Sequence, residues 1–158
     1  NETFKAFEKL VEEHLVRSIG VSNFTINHLE EALKSTVLPI AVNQVEFHPF
    51  LFQKELYQYC KEKQIVIIAY SPLARGKVFE SDLLQKIGQN KDTGPGQVAL
   101  AWLIKKGLVV IPKSSSEEHI IANLGALSIT LSDQESSMID NISENQRFIN
   151  PSWSEFDA

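Results

Sequence analysis

A chain of 158 residues has room for one domain or for a piece of a larger one. Its 43% hydrophobic and 22% charged residues are ordinary for a globular protein, and a formal net charge of -5 argues against a nucleic-acid or anionic-membrane partner, both of which favour basic faces. A single cysteine, Cys60, excludes an intrachain disulfide framework and makes a cytoplasmic setting the default.

The sequence given shows no apolar run long enough to span a bilayer and no secretory-signal pattern. The chain begins at Asn1 and its only methionine is Met138, so we expect an excerpt of a longer translation product.

In chain order, Thr3 to His14 read as an amphipathic helix. The apolar run Val16 to Val21 follows and ends in Ser22-Asn23. A helix with Leu29, Ala32 and Leu33 on one face comes next, with Thr25 as its cap. Ile40 to Val45 form a second apolar run, leading to Glu46-Phe47-His48-Pro49 and a helix around Leu56, Tyr59 and Cys60. Cys60 in that helical pattern reads as a buried, inert thiol. Ile65 to Tyr70 form a third run, ending in Ser71-Pro72-Leu73. Helices near Leu83 to Ile87 and from Gln97 to Lys106 come after it, with Gly94-Pro95-Gly96 as a turn between them. Leu108 to Ile111 form the fourth run, followed by a helix and by a last helix over roughly Asp133 to Ile142.

Apolar strands alternating with helices indicate parallel pairing with both sheet faces covered. An open doubly wound sheet and part of an eight-fold barrel both satisfy that pattern. The first expects G-x-G-x-x-G after its first strand, and the chain has no such triplet. The second expects ligand-capable residues at the C-terminal strand ends. Ser22-Asn23, Gln44 to Glu46, Tyr70-Ser71 and Lys113-Ser114 stand there. A full barrel takes about 250 residues, so this chain has length for about half of one. Four parallel strands alone leave two unpaired edges.

Local chemistry is ambiguous at each strand end. Ser22 and Asn23 suit an amide ligand or cap the next helix. VIPKSSSEEH, Val110 to His119, puts a cation and three hydroxyls at a helix N-terminus, which suits a phosphate. It equally reads as a capping box with Ser115 at the cap and Glu118 three residues on. His48 reads as a structural residue; His14 and His28 read as helix-surface residues.

Five stretches then occur in one order: IGVSNF (Ile19 to Phe24), VNQVEFHPF (Val42 to Phe50), AYSPLARGK (Ala69 to Lys77), QVALAW (Gln97 to Trp102) and VIPKSSSEEHIIANLGAL (Val110 to Leu127). In that order and spacing the chain resembles the C-terminal half of an aldo-keto reductase. Its tail, RFINPSWSEFD (Arg147 to Asp157), is most similar to bacterial 2,5-diketogluconate and methylglyoxal reductases.

The resemblance implies an α/β fold, the C-terminal half of a (β/α)8 TIM barrel, as a single partial domain over residues 1–158 that supplies strands five to eight and the tail. It implies NADPH-dependent reduction of aldehyde or ketone carbonyls, without metal. It places the Asp-Tyr-Lys-His catalytic set in the N-terminal half, which this chain lacks, so the chain alone is expected to be inactive. It implies that Ser22, Asn23 and Gln44 contact the nicotinamide carboxamide and that Tyr70 stacks on the ring. Ser71, Leu73 and Arg75 match the pyrophosphate loop. Lys113, Ser114, Ser115 and Ser116 match the 2′-phosphate site.

Against the pattern that the resemblance implies, His119 stands where many family members carry an arginine on the adenine and Ala122 stands for a nearby glutamate, while Asn123 matches. Trp153, with Phe156, is the expected contact for the small carbonyl substrate. The expected partner is the missing N-terminal half of the barrel. The alternative is a half-length protein that binds nucleotide, or serves as an interaction subunit, without catalysis.

Overall fold

The computed structural model describes residues 2–152 and 155–156. Seven α-helices and four strands are assigned among them: α1 (Glu2–Glu12), β1 (Ile19–Ser22), α2 (Ile26–Ser35), β2 (Ile40–Glu46), α3 (Lys54–Glu62), β3 (Val66–Tyr70), α4 (Asp82–Gln89), α5 (Pro95–Lys105), β4 (Val109–Val110), α6 (Glu117–Gly125) and α7 (Asp133–Asp140), with 3-10 turns over Ala74–Glu80 and Ala126–Ser128. The four strands are parallel and lie in the order β1-β2-β3-β4, with at least one helix in every connection.

The residues divide into two compact units. Residues 1–45, 54–68 and 151–158 form the first; residues 46–53 and 69–150 form the second.

In the first unit, Leu29 and Ala32 of α2, Ile40 and Val45 of β2, Leu56 and Cys60 of α3 and Ile67 of β3 are buried. The register of β1 on β2 shifts between Ile19 and Gly20, where Gly20 faces Val42. A Cβ on Gly20 would collide with the Val42 side chain, so only glycine fits this approach. Burial pushes the Cys60 thiol up to about 11, against a hydrogen bond with Asn43 that lowers it. That agrees with an inert buried thiol.

In the second unit, α5 packs against α4, α6 and β4. Val98, Ala99, Leu100, Trp102 and Leu103 on α5 are fully buried. Trp102 donates to Asp140 Oδ1 at 2.6 Å and lies against the Phe47 and Phe52 rings. Ile120, Ile121 and Leu124 of α6, with Leu127 just beyond it, are exposed, as are Val109 and Ile111 at β4.

Several boundaries differ from the sequence reading. β1 starts at Ile19 rather than Val16, because the amides of Leu15 and Val16 close the end of α1 on the Leu10 carbonyl. His14 lies beyond α1, in a turn with φ 58°, rather than on the helix surface. β4 is two residues long; Ile111 still donates to the Ala69 carbonyl, and Pro112 then has no N–H to continue. Gly94-Pro95-Gly96 is a helix start rather than a free turn: Gly94 is the N-cap of α5 and Pro95 its first residue. α7 stops at Asp140, where Asn141 closes onto the Ser137 carbonyl.

Candidate functional site

The residues at the ends of β1 and β2 are tied to one another in the first unit. Ser22 Oγ donates to the Gln44 carbonyl at 3.0 Å, and the Asn23 amide donates to the same oxygen at 2.8 Å. Asn23 holds φ 57°, a left-handed conformation that asparagine tolerates better than most residues. Buried Asn43 accepts from the Phe24 amide and donates to its carbonyl, fixing the loop that carries Asn23. Neither Ser22 nor Asn23 caps α2. Thr25 does so, in a reciprocal box with His28. The helix-cap alternative at Ser22-Asn23 therefore falls.

His28 also closes on Glu155 Oε2 at 2.9 Å. It is part of a cap and a tail contact rather than a plain helix-surface group.

In the second unit, Tyr70 ends β3, and its carbonyl accepts from the Phe47 amide at 3.3 Å. The loop that follows is bent in an uncommon way. Ser71, Ala74 and Arg75 have φ of 49°, 49° and 52°. Positive φ outside glycine is uncommon, and bent segments of this kind cluster where backbone groups must be aimed. His14, Gln64 and Asp92 share the property but lie just past α1, α3 and α4, where helix termination explains it. Asn23 and Ser71 instead directly follow strand ends, and Ala74 and Arg75 open the 3-10 turn after β3. A hollow of about 390 Å³ opens here, lined by Ser71, Leu73, Arg75 and Lys113, among others.

The VIPKSSSEEH segment continues the same wall. The cap of α6 is Ser116 rather than Ser115: its hydroxyl accepts from the His119 amide. The third helical residue is therefore His119, and Glu118 closes no capping box. Ser114 is occupied locally, its hydroxyl accepting from the Ser116 amide at 3.1 Å. Lys113 and Ser115 are exposed.

A second hollow of about 310 Å³ is lined by Leu73, Lys113, Ser114, His119, Ala122 and Asn123, with Phe79, Gly94, Gly96 and Gln97 opposite. Phe79 was not anticipated. Its ring lies so close over Gly96 that a Cβ there would meet Phe79 Cζ at 3.1 Å. Ser115 and Ser116 line neither hollow. Leu73 and Lys113 line both.

The sequence reading set Glu46 only among the ligand-capable residues at the strand ends and gave it no role of its own. Its side chain is fully buried at the end of β2. It accepts from His48 Nε2 at 3.0 Å, from the Phe148 amide at 2.8 Å and from the Ile149 amide at 2.9 Å. His48 is equally buried, which suits the structural reading given to it. The only available signal was the i, i+2 spacing of two polar residues after an apolar run.

Burial alone would raise the Glu46 carboxyl; the hydrogen bonds from His48, Phe148 and Ile149 outweigh it and hold the group below its ordinary value. A depressed folded value means that the stabilisation is present above the unfolded carboxyl value, about 4.3, and is lost as pH falls through the folded value. We expect limited proteolysis after Asn141 to be slow at neutral pH and to accelerate only below about pH 4. Acceleration between neutrality and pH 5 would contradict this.

Trp153 lies outside the described residues. Among the described residues, no group of three or more His, Cys, Asp or Glu could hold a metal ion, and no helix is long and apolar enough to cross a membrane.

The family model described as Aldo/keto reductase family matches residues 1–144. Glyoxal reductase of Bacillus subtilis (strain 168) is 42% identical over 146 residues, which are 92% of this chain and 53% of that protein. The crystal structure of a putative 2,5-diketo-D-gluconic acid reductase B superposes with a TM-score of 0.92 at 32% identity, covering 98% of this chain and 57% of that one. An aldo-keto reductase crystallised with NADPH superposes with a TM-score of 0.87 at 28% identity, covering 95% of this chain and 49% of that one. The chain thus spans about half the length of the curated relatives it matches, and its four strands are those of the C-terminal half of a (β/α)8 barrel.

Proposed function

Because the chain belongs to the Aldo/keto reductase family, we propose that it is the cofactor-holding half of an NADPH-dependent reductase of aldehyde and ketone carbonyls. The observation that carries this reading is the pair of hollows sharing Leu73 and Lys113, lined by seven of the thirteen residues expected to touch cofactor: Ser71, Leu73, Arg75, Lys113, Ser114, His119 and Asn123.

Their chemistry fits the group. Arg75 and the bent Ser71 to Gly76 backbone suit a pyrophosphate, because a guanidinium and aimed amides match its oxygens. Lys113 and Ser114 beside the N-terminus of α6 suit a 2′-phosphate. The flat imidazole of His119 and the ring of Phe79 offer apolar faces to a purine. Ser22, Asn23 and Gln44 are assigned to the carboxamide and Tyr70 to the nicotinamide ring. Ser115 and Ser116 contribute through the cap and its exposed neighbour rather than as lining. NADPH, when bound, supplies the hydride.

Residues 1–158 are read as one partial domain. The acid that protonates the carbonyl oxygen belongs to the N-terminal half in this reading, and Trp153 is assigned to the substrate. That half also accounts for the exposed apolar residues at β4 and α6 and for Leu15 and Val16 ahead of β1. We place the protein in the cytoplasm, the reading that a single cysteine in this half supports.

Turnover tests the proposal. The complete protein should oxidise NADPH when given methylglyoxal, and the isolated 158-residue chain should not. Turnover by the isolated chain, or none by the complete protein with any small aldehyde, would overturn it.

A further inference from the structure

The segment Gln146–Asn150 has neither helix nor strand structure, yet its backbone is held at several points. Gln146 donates to the Phe50 carbonyl at 2.7 Å. Arg147 Nη2 donates to Gln53 Oε1 at 3.2 Å, and Gln53 in turn donates to the Glu46 carbonyl at 2.7 Å. Two successive amides, Phe148 and Ile149, aim at the two oxygens of one carboxylate, that of Glu46. The residues joined are 102 and 103 positions apart in sequence. The Phe148 ring lies 5.4 Å from the ring of His48, whose Nε2 donates to the same carboxylate.

A fully buried carboxylate is costly unless its oxygens are satisfied. Here the satisfying donors come from the strap and from His48. Glu46 is the last residue of β2, and the next amide, of Phe47, bonds to the carbonyl of Tyr70 at the end of β3. The strap is therefore anchored at the C-terminal end of β2, next to the residue that pairs with the end of β3, and the sequence runs on from it to Trp153.

We propose that Glu46 is a positioning residue: its carboxylate seats Gln146 to Ile149 as a fixed strap at the C-terminal strand ends, and so sets the substrate side of the site without touching cofactor. The last clause rests on the reductase reading; the seating of the strap does not. His48 serves as the third anchor of the carboxylate and as a packing face for Phe148.

The test uses the complete protein, Glu46→Gln and, as an independent lesion, Ile149→Pro, which removes a strap donor and leaves Glu46 intact. Amide hydrogen exchange reads the strap. In Glu46→Gln, the Phe148 and Ile149 amides should exchange at least about 10-fold faster while α5 keeps its protection. Steady-state kinetics read the site. Both variants should raise KM for methylglyoxal by about 10-fold, with the NADPH dissociation constant within about twofold of wild type, and the double variant should add little. Unchanged exchange at both amides overturns the seating role. Faster exchange with unchanged KM overturns the substrate-side role. Absence of aldehyde turnover in the wild type overturns the reductase reading and with it the substrate-side role, and the exchange result still decides whether Glu46 seats the strap.

Discussion

Replacing Lys113 with methionine in the complete protein is expected to weaken NADPH binding by about 10- to 100-fold and to leave NADH within about threefold, since hydrogen bonds to charged groups are worth roughly 1.5–3 kcal/mol. Methionine keeps most of the aliphatic stem and removes only the ammonium. Lys113 is exposed and lines both hollows of the second unit. The hydroxyls beside it are partly committed: Ser114 to the Ser116 amide, Ser116 to the His119 amide. They bring neighbouring dipoles but no charge. The positive end of α6 helps, although Glu117 and Glu118 in its first turn oppose an anion there. Lys113 is thus the one lysine or arginine of the segment Val110–His119, and NADPH differs from NADH only by the phosphate. Equal loss for both cofactors in a fluorescence titration would assign Lys113 to the shared pyrophosphate. No loss for either would remove it from the site.

The second large effect concerns the packing that carries the site. Trp102→Ala should destabilise the protein by about 3–5 kcal/mol, the usual cost of emptying a large aromatic site. Trp102 has no exposed surface, and its ring centroid lies 6.1 Å from Phe47 and 5.5 Å from Phe52, the latter edge-on at 82°. Lys106 Nζ stands 5.0 Å from its centroid and 2.7 Å from Asp140, which accepts the indole N–H. The alanine variant loses the ring contacts and one partner of Asp140 together. Trp102→Phe keeps most of the volume and should cost far less, about 1–2 kcal/mol, mainly for the lost hydrogen bond. Chemical denaturation monitored by circular dichroism checks both. A Trp102→Ala loss under about 1 kcal/mol would mean that α5 is not the organising helix of this unit.

Much of the fold could be read from the chain because its strands are continuous apolar runs, a pattern that parallel sheets covered on both faces produce. Ile40 to Val45 and Ile65 to Tyr70 map onto β2 and β3 almost residue for residue. The ends of β1 and β4 did not, because hydrogen-bond bookkeeping at neighbouring elements decides them. The α1 terminus consumes the Leu15 and Val16 amides, and Pro112 offers none.

The serine run shows a similar limit. Three adjacent hydroxyls give three possible caps, and only the turn made by Ser114 with Ser116 selects Ser116. Glu46 was the least legible residue. Two of its three donors, Phe148 and Ile149, carry no side-chain signal, because they bond through their backbone amides from more than a hundred residues away. Phe79 was hidden for a different reason: its contact is a missing side chain, Gly96.

The proposed 2′-phosphate site of Lys113, Ser114 and the start of α6 has His119 on its lining, where the family resemblance leads to the expectation of arginine. Equilibrium dissociation constants of NADPH and NADH for the complete wild-type protein, measured beside His119→Arg at one ionic strength, test it most directly. NADPH is expected to bind tighter than NADH by at least about 10-fold in the wild type, a difference of about 1.4 kcal/mol, with a wider gap in His119→Arg. Equal affinities in the wild type, or tighter binding of NADH, would contradict it.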